Sequence, residues 1–270
     1  MFVKKMKKLN LGIIFGGKSS EHEVSIVSAL QAFNWIDKEK YNPVLIYIDP
    51  QNQSFLCNSP QKENLHTFIE RTLADNHKIQ FIRKGIVVKK FLPKQIPLDV
   101  CLLILHGAYG EDGRLQGLLD FYGIPYTGSG VLGSALGMDK VVIKKVFESL
   151  KLNLTPYEWF TTENYNGNRN KVIAAIEKKL KYPLFVKPAN AGSSVGISKV
   201  KDKSELLDAI EKALRLDNKI LVEQAVADAV DINCAVMGGH EPIVSVCEQP
   251  LTDSSFLTFE EKYLKGGKNK

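Results

Sequence analysis

Pro183-Leu-Phe-Val-Lys-Pro-Ala-Asn-Ala-Gly-Ser-Ser-Val-Gly-Ile-Ser198 is the stretch whose reading decides the fold. Its apolar run Leu184-Phe185-Val186 predicts a buried strand. The run ends in Lys187-Pro188, a cation at the point where a strand is expected to stop, since proline has no N–H for a ladder. Gly192-Ser193-Ser194-Val195-Gly196 follows as a loop of small residues and hydroxyls, and Ile197 to Val200 predicts a second strand. Two strands joined by such a loop, with a lysine beside it, make a flap that can close over phosphate. Backbone N–H groups bind the anion and the lysine adds a point charge. An ordinary hairpin with a solvated lysine reads the same residues equally well, so the rest of the chain has to decide.

The chain has 270 residues, 44% of them hydrophobic, enough to bury cores for two domains and part of a third. The formal charge is +6, but the basic residues are spread along the chain apart from lysine clusters at the two ends. No basic stripe with interleaved aromatics appears, so an anionic small molecule fits better than nucleic acid. Cys57, Cys101, Cys234 and Cys247 form no C-x-x-C pair and no metal-like cluster, which fits free thiols in a reducing cytoplasm. The apolar run after the N-terminal lysines is too short for a signal peptide, and no run of about 18 apolar residues predicts a membrane span.

Residues 9 to 49 read as strand, helix, strand: Leu11 to Phe15, a helix through Ile26, Leu30 and Phe33, then Val44 to Ile48. Residues 51 to 97 read as a polar surface insertion with weak secondary structure. Val100 to Leu105 is continuously apolar, as in a strand buried on both faces of a parallel sheet. A βαβ-type domain over residues 1–128 follows. Helices are expected from Asp139 to Leu150 and from Lys171 to Leu180. A third starts at Asp202, where Asp202 and Glu205 have capping-box spacing. Lys219 to Ala225 and Ile232 to Met237 read as strands.

Two motifs mislead. Gly12-x-x-x-x-Gly17-Lys18-Ser19 matches a P-loop by letter, but Ile13, Ile14 and Phe15 belong to a strand and leave no loop to cradle phosphate. Gly128-x-Gly130-x-x-Gly133 matches a dinucleotide fingerprint, but Pro125 breaks the strand before it and no acid sits at a strand end about 20 residues on. It reads as a glycine-rich connection.

Chemistry gathers elsewhere. Gly16-Gly-Lys-Ser-Ser-Glu-His-Glu-Val-Ser25 turns sharply after the first strand and opens a helix with acids and hydroxyls. Glu21 there is either a dipole-stabilising cap or a holder for a substrate ammonium. His106, in Leu105-His-Gly-Ala-Tyr-Gly-Glu-Asp-Gly113, stands at the carboxyl end of the next buried strand, where parallel sheets bind ligands.

These segments, with Gln116-Gly117, Pro125-Tyr-Thr-Gly-Ser-Gly130, Met138-Asp139-Lys140 and the Lys187–Ser198 flap, resemble the D-alanine–D-alanine ligases. Glu260-Glu-Lys-Tyr-Leu264 resembles that family's later mobile loop, and the matches run in order from residue 11 to about 265. The resemblance implies an α/β fold: an N-terminal Rossmann-like domain (1–128), a central ATP-grasp subdomain with the flap (129–222), and the beginning of a C-terminal ATP-grasp subdomain (223–270). It implies that ATP phosphorylates the carboxylate of one D-alanine and that a second D-alanine amine attacks the acyl phosphate. It further implies peptidoglycan synthesis in the cytoplasm, with Mg2+ or Mn2+, in a homodimer.

Carried onto this chain, the resemblance gives ATP phosphates to Lys140, Lys187 and Ser194, adenine to Glu223, Gln224 and Val226, and ribose to Asp231. Glu21 takes the first substrate's ammonium and bonds toward Ser193, with Tyr263 closing the chain. His106 faces a substrate carboxylate, and Lys262 meets the transferring phosphate. Family members continue beyond the position matched by Lys270, with an arginine for the intermediate and an Asp, Glu and Asn for two Mg2+ ions. The module is thus expected to be incomplete, without metal ligands in this chain. Two readings stay open: a ligase, or a truncated relative that binds ATP and D-alanine without catalysing.

Overall fold

Three consecutive core residues, Ile13, Ile14 and Phe15, show no solvent exposure. They lie in β1 (Leu9–Gly16) of the computed structural model, which describes residues 7–61, 64–239 and 241–250. Packing divides the chain into two compact units, Met1–Ile143 and Lys144–Lys270.

In the first unit β1 is followed by α1 (His22–Trp35), β2 (Tyr41–Ile48), β3 (Ser54–Leu56), α2 (Leu65–Asp75), β4 (Ile79–Ile82), β5 (Gly85–Val88), β6 (Lys94–Pro97), β7 (Val100–Leu103), α3 (Arg114–Phe121) and α4 (Val131–Met138). The main sheet has the order β3-β2-β1-β7. β1 pairs in parallel with β2 and β7, and β3 runs antiparallel on the edge. Alternation sends Ile13 and Phe15 to one face, where they pack with Ile26, Ala29 and Phe33 of α1 and Phe68 of α2. Ile14 faces the other way, onto Ile86, Leu115, Leu119 and Ile124. Both faces are covered, which is why the strands read as unbroken apolar runs.

The segment 51–97 corrects the sequence reading. It is not a loosely structured surface insertion. It contains α2 and an antiparallel sheet β4-β5-β6, and Ile79, Phe81, Ile86 and Val88 cover one face of the main sheet. The strands are only four residues long, and β4 buries only every second residue, so each gives a weak local signal. A second correction concerns the glycine-rich connection: Gly130 is the N-cap of α4, and Gly133 lies inside that helix despite the poor helix propensity of glycine.

α5 (Lys140–Ser149) carries the chain into the second unit, which contains β8 (Tyr157–Thr161), α6 (Thr162–Gly167), α7 (Arg169–Lys179), β9 (Leu184–Pro188), β10 (Ser198–Val200), α8 (Lys203–Leu214), β11 (Lys219–Gln224), β12 (Val236–Met237) and β13 (Ile243–Val244). The sheet order is β10-β9-β11-β8, with every neighbouring pair antiparallel. Leu184, Val186, Ile220 and Val222 face α7 and α8 and make one core with Ile173, Ile176, Leu206 and Ile210. α8 starts as expected, with the Asp202 carboxylate accepting from Glu205 N at 2.9 Å.

Two strand limits differ from the sequence reading. β9 runs through Lys187 to Pro188, which pairs with Ile220. Ala189 N donates to Lys219 O, toward β11, so the missing N–H of Pro188 falls on the β10 side, where pairing has already ended at Val186. Proline is tolerated there because no ladder bond is lost. The strand expected over Ile232 to Met237 is only the two-residue β12, paired with β13 and exposed on both. Without a packed face nothing extends the ladder. Among the described residues no helix is long and apolar enough to cross a membrane.

If β5 is core, Ile86→Ala should destabilise the first unit by about 2–5 kcal/mol, the range for a large buried aliphatic side chain. Urea unfolding followed by circular dichroism measures it, and a loss of about 0.5 kcal/mol or less would return the segment to the surface.

Candidate active site

β1 ends at Gly16, whose φ of +88° is one that side-chain-bearing residues avoid, and a Cβ there would stand 2.3 Å from Ile48 O. The turn is pinned by His22. Its Nδ1 lies 2.7 Å from Gly17 O and its Nε2 3.1 Å from the Tyr47 hydroxyl. Burial pushes the Tyr47 phenol up to about 12. Tyr47 therefore keeps its proton and donates to Nε2, which leaves Nδ1–H to donate to the carbonyl. Ser25, fully buried, accepts from Gly16 N at 2.8 Å and donates to Ile104 O at 2.6 Å. It thereby ties the first turn of α1 to the ends of β1 and β7.

This clamp sets Glu21. It is the N-cap position of α1 and is buried, yet its side chain makes no capping bond to the helix. The carboxylate reaches across to the turn after β7 instead, where a Cβ on Gly107 would stand 2.6 Å from Glu21 Oε2. Gly107 has a φ of +70°, so the close approach and the backbone both call for glycine. His106, the neighbour of Gly107, has Nε2 3.4 Å from Ser28 Oγ. Glu111 and Asp112, two further acids of this loop, bond to its own backbone, and Asp112 also pairs with Arg114 at 3.1 Å. Glu111 accepts from Gly107 N at 2.7 Å and Asp112 from Tyr109 N at 2.8 Å. The structure thus brings Glu21 and His106–Gly107 together at the carboxyl ends of two adjacent parallel strands, the ligand-binding edge of such sheets. Lys140 opens α5 at the end of the same unit.

The second unit holds the remaining described site residues. Ser193 and Ser194 occupy the loop between β9 and β10, both with positive φ, at 43° and 62°. That left-handed backbone is uncommon for serine and marks a strained turn. Gly196 closes the loop against Pro188 and Leu216, and Asp217 holds its start by accepting from Asn190 N at 2.6 Å. Gln224 Oε1 accepts from Lys181 N at 3.0 Å. Val226 and Asp231 lie beyond β11 and are exposed. Lys262 and Tyr263 lie outside the described residues.

Lys187 and Glu223 share the sheet face opposite α7 and α8, on neighbouring strands. Lys187 Nζ donates to Glu223 Oε1. Glu223 Oε2 takes Lys144 Nζ at 3.0 Å and the Thr155 hydroxyl at 3.4 Å. Burial raises the Glu223 carboxyl, but Lys187 and then Lys144 outweigh it and hold it below its ordinary value. Lys144 was not anticipated from the sequence. Its one signal was helical spacing, one turn after Lys140. Among the described residues no three His, Cys, Asp or Glu side chains stand together as a metal site.

The family model described as D-ala D-ala ligase N-terminus matches residues 10–129, and that described as D-ala D-ala ligase C-terminus matches residues 146–270. The chain belongs to the D-alanine–D-alanine ligase family. It is 41% identical over 268 residues to the D-alanine–D-alanine ligase of Chloroherpeton thalassium, spanning 97% of this chain and 73% of that protein. It is 40% identical over 265 residues to that of Natranaerobius thermophilus, spanning 96% and 71%. Among solved structures, VanG D-Ala:D-Ser ligase from Enterococcus faecalis superposes with a TM-score of 0.79 at 32% identity, over 95% of this chain and 74% of that one. The D-alanine–D-alanine ligase from Coxiella burnetii gives 0.78 at 28% identity, over 90% and 71%. The protein is a ligase with the α/β, ATP-grasp architecture of this family.

Because Glu223 titrates below its ordinary 4.5 in the fold, its contribution to stability is present above that pH and is lost as pH falls through the folded value. Glu223→Gln should therefore be less stable than the parent near neutral pH, with the gap shrinking as pH falls below the ordinary 4.5 and through the folded value. Denaturant unfolding across that range checks the sign, and a gap that stays constant would show that the carboxylate is not held as an anion by the two lysines.

Proposed function

We propose that this protein joins two D-alanine molecules to D-alanyl-D-alanine at the expense of ATP, through an acyl phosphate, for peptidoglycan precursor synthesis in the cytoplasm. The observation that carries the reading is Glu21 lying against Gly107, beside His106. An anion and an imidazole at one strand edge suit the two ends of an amino-acid zwitterion. Glu21 takes the ammonium of the first D-alanine, and His106 faces a substrate carboxylate.

A carboxylate oxygen of that D-alanine attacks the terminal phosphorus of ATP, and ADP leaves. The amine of the second D-alanine then attacks the acyl carbon, loses its proton, and phosphate leaves with the carboxylate oxygen. Lys140 and Lys187 hold the phosphates, with Ser194 and the loop amides over them. Excluding water protects the acyl phosphate from hydrolysis. Glu223, Gln224 and Val226 hold adenine and Asp231 ribose. Ser193 links Glu21 to Tyr263, and Lys262 meets the transferred phosphate. Mg2+ or Mn2+ would neutralise charge on the phosphates; no described residue is assigned to it. We take the working parts to be residues 1–128, 129–222 and 223–270, in a homodimer.

The test is an incubation of the purified protein with ATP, Mg2+ and D-alanine labelled with 18O in its carboxylate. The expected products are the dipeptide, ADP and phosphate carrying one 18O. D-Serine and D-lactate as second substrates define specificity. Glu21→Gln should raise the KM for the first D-alanine about 10–100-fold, the worth of a hydrogen bond to a charged group. Absence of any D-alanine-dependent phosphate release would sink the ligase reading, and ATP binding in that case would favour a binding-only protein. Normal dipeptide synthesis by both Glu21→Gln and Ser193→Ala would remove those residues from the site.

A further inference from the structure

One of the two lysines assigned to the nucleotide is occupied. Lys187 Nζ is bound to Glu223 Oε1, and the two side chains are only 21% and 12% exposed. Lys187 has to leave this carboxylate before it can hold a phosphate. A mostly buried carboxylate deserted by its cation is strongly disfavoured, because neither water nor another charge compensates it. Taken alone, the pair would hold Lys187 back.

The pair is not alone. Lys144, itself 13% exposed, binds the other oxygen, Glu223 Oε2, at 3.0 Å. Its ammonium also donates to Thr155 Oγ1 at 3.2 Å and lies 4.9 Å from the centroid of the Tyr157 ring. The Thr155 hydroxyl in turn reaches Glu223 Oε2 at 3.4 Å. Lys144 is thus fixed from three directions, whereas Lys187, which besides Glu223 lies 5.3 Å from the centroid of the Phe185 ring, stands one residue before the end of β9, where the phosphate loop begins. Two cations share one anion, and the anchored one is sufficient to keep that anion neutralised.

We propose that Lys144 is a positioning residue for nucleotide binding: it holds the charge of Glu223 so that Lys187 is released to the phosphates. The inference rests on the assignment of Lys187 to ATP phosphate. Lys144 acts through Glu223 and does not touch the nucleotide.

Two measurements test it, on the whole protein. The first is ATP affinity by calorimetry. Lys144→Met should weaken binding by about tenfold or more, as for truncation within a buried charge pair, while Lys144→Arg keeps most of it. Because Glu223 is itself assigned to adenine, the double variant is read against Glu223→Gln alone: adding Lys144→Met there should cost little further affinity, since no carboxylate then detains Lys187. If Lys144 contacted phosphate or only braced the fold, Lys144→Met would cost as much on the Glu223→Gln background as in the parent, and that result overturns the inference.

The second measurement needs no nucleotide. Brief acylation of the ligand-free protein, read by mass spectrometry at Lys187, should be slower in Lys144→Met than in the parent and faster in Glu223→Gln. Equal labelling of Lys187 in all three overturns the inference. Should Lys144→Met fail to fold, the Glu223→Gln arm decides alone, and unchanged labelling there has the same force. A parent protein that binds no ATP refutes the nucleotide assignment instead, a result separate from the labelling pattern.

Discussion

Ile13, Ile14 and Phe15 are buried together although consecutive strand residues point to opposite faces, so β1 has to be covered twice. α1 and α2 supply one cover, and α3 with the β4-β5-β6 sheet the other. With both faces sealed, only the ends of the strand remain for chemistry. The carboxyl end is shaped by one steric fact, the absence of space between Gly16 and Ile48 O. The chain turns there in a left-handed conformation, and Ser25 then fixes how α1 leaves the sheet. Glu21 is delivered against Gly107 by this sequence of constraints rather than by a side-chain capping bond to its own helix.

Much of this was legible from residue patterns. Continuous apolar runs gave β1, β2 and β7, and the loop-flanked run Leu184–Val186 gave β9 with its antiparallel partner β10. The apolar spacing of α1 and the Asp202 cap of α8 were equally plain. Long-range cover was not legible. Ile79, Phe81, Ile86 and Val88 lie in strands of four residues, too short for a pattern to stand out, and nothing local says that these side chains meet Ile14 from the far side of the sheet. α4 was hidden for the opposite reason: its two glycines argue locally for a loop.

The site divides along the same line. Glu21, His106 and the Ser193–Ser194 loop announced themselves by residue type at strand ends, whereas their supports did not. Ser25, His22 with Tyr47, and Asp217 act through partners 5 to 79 residues away, and a lone serine or histidine at such a position carries no sequence signal. Lys144 is the sharpest case. It sits in a helix rich in lysine, and only the fold shows that its ammonium meets Glu223 from a distance of 79 residues while Lys145 pairs locally with Glu148 at the surface.

The sheet of the second unit is asymmetric in a way that stability alone does not explain. The centre of one face is apolar, with Leu184, Val186, Ile220 and Val222 under two helices. The other places Lys187 and Glu223 on adjacent strands and adds Lys144 from α5. Apolar residues of similar size would cover that face at least as well, since the desolvation of a buried ion cluster offsets most of its internal attraction. The cluster does supply a localised positive charge, two ammonium groups against one carboxylate, at the root of a loop built of small residues. That excess suits a face meant to receive an anion. It also sets the direction of any rearrangement: the anion of the protein stays where it is fixed by Lys144 and Thr155, and the cation nearer the loop is the one able to change partners.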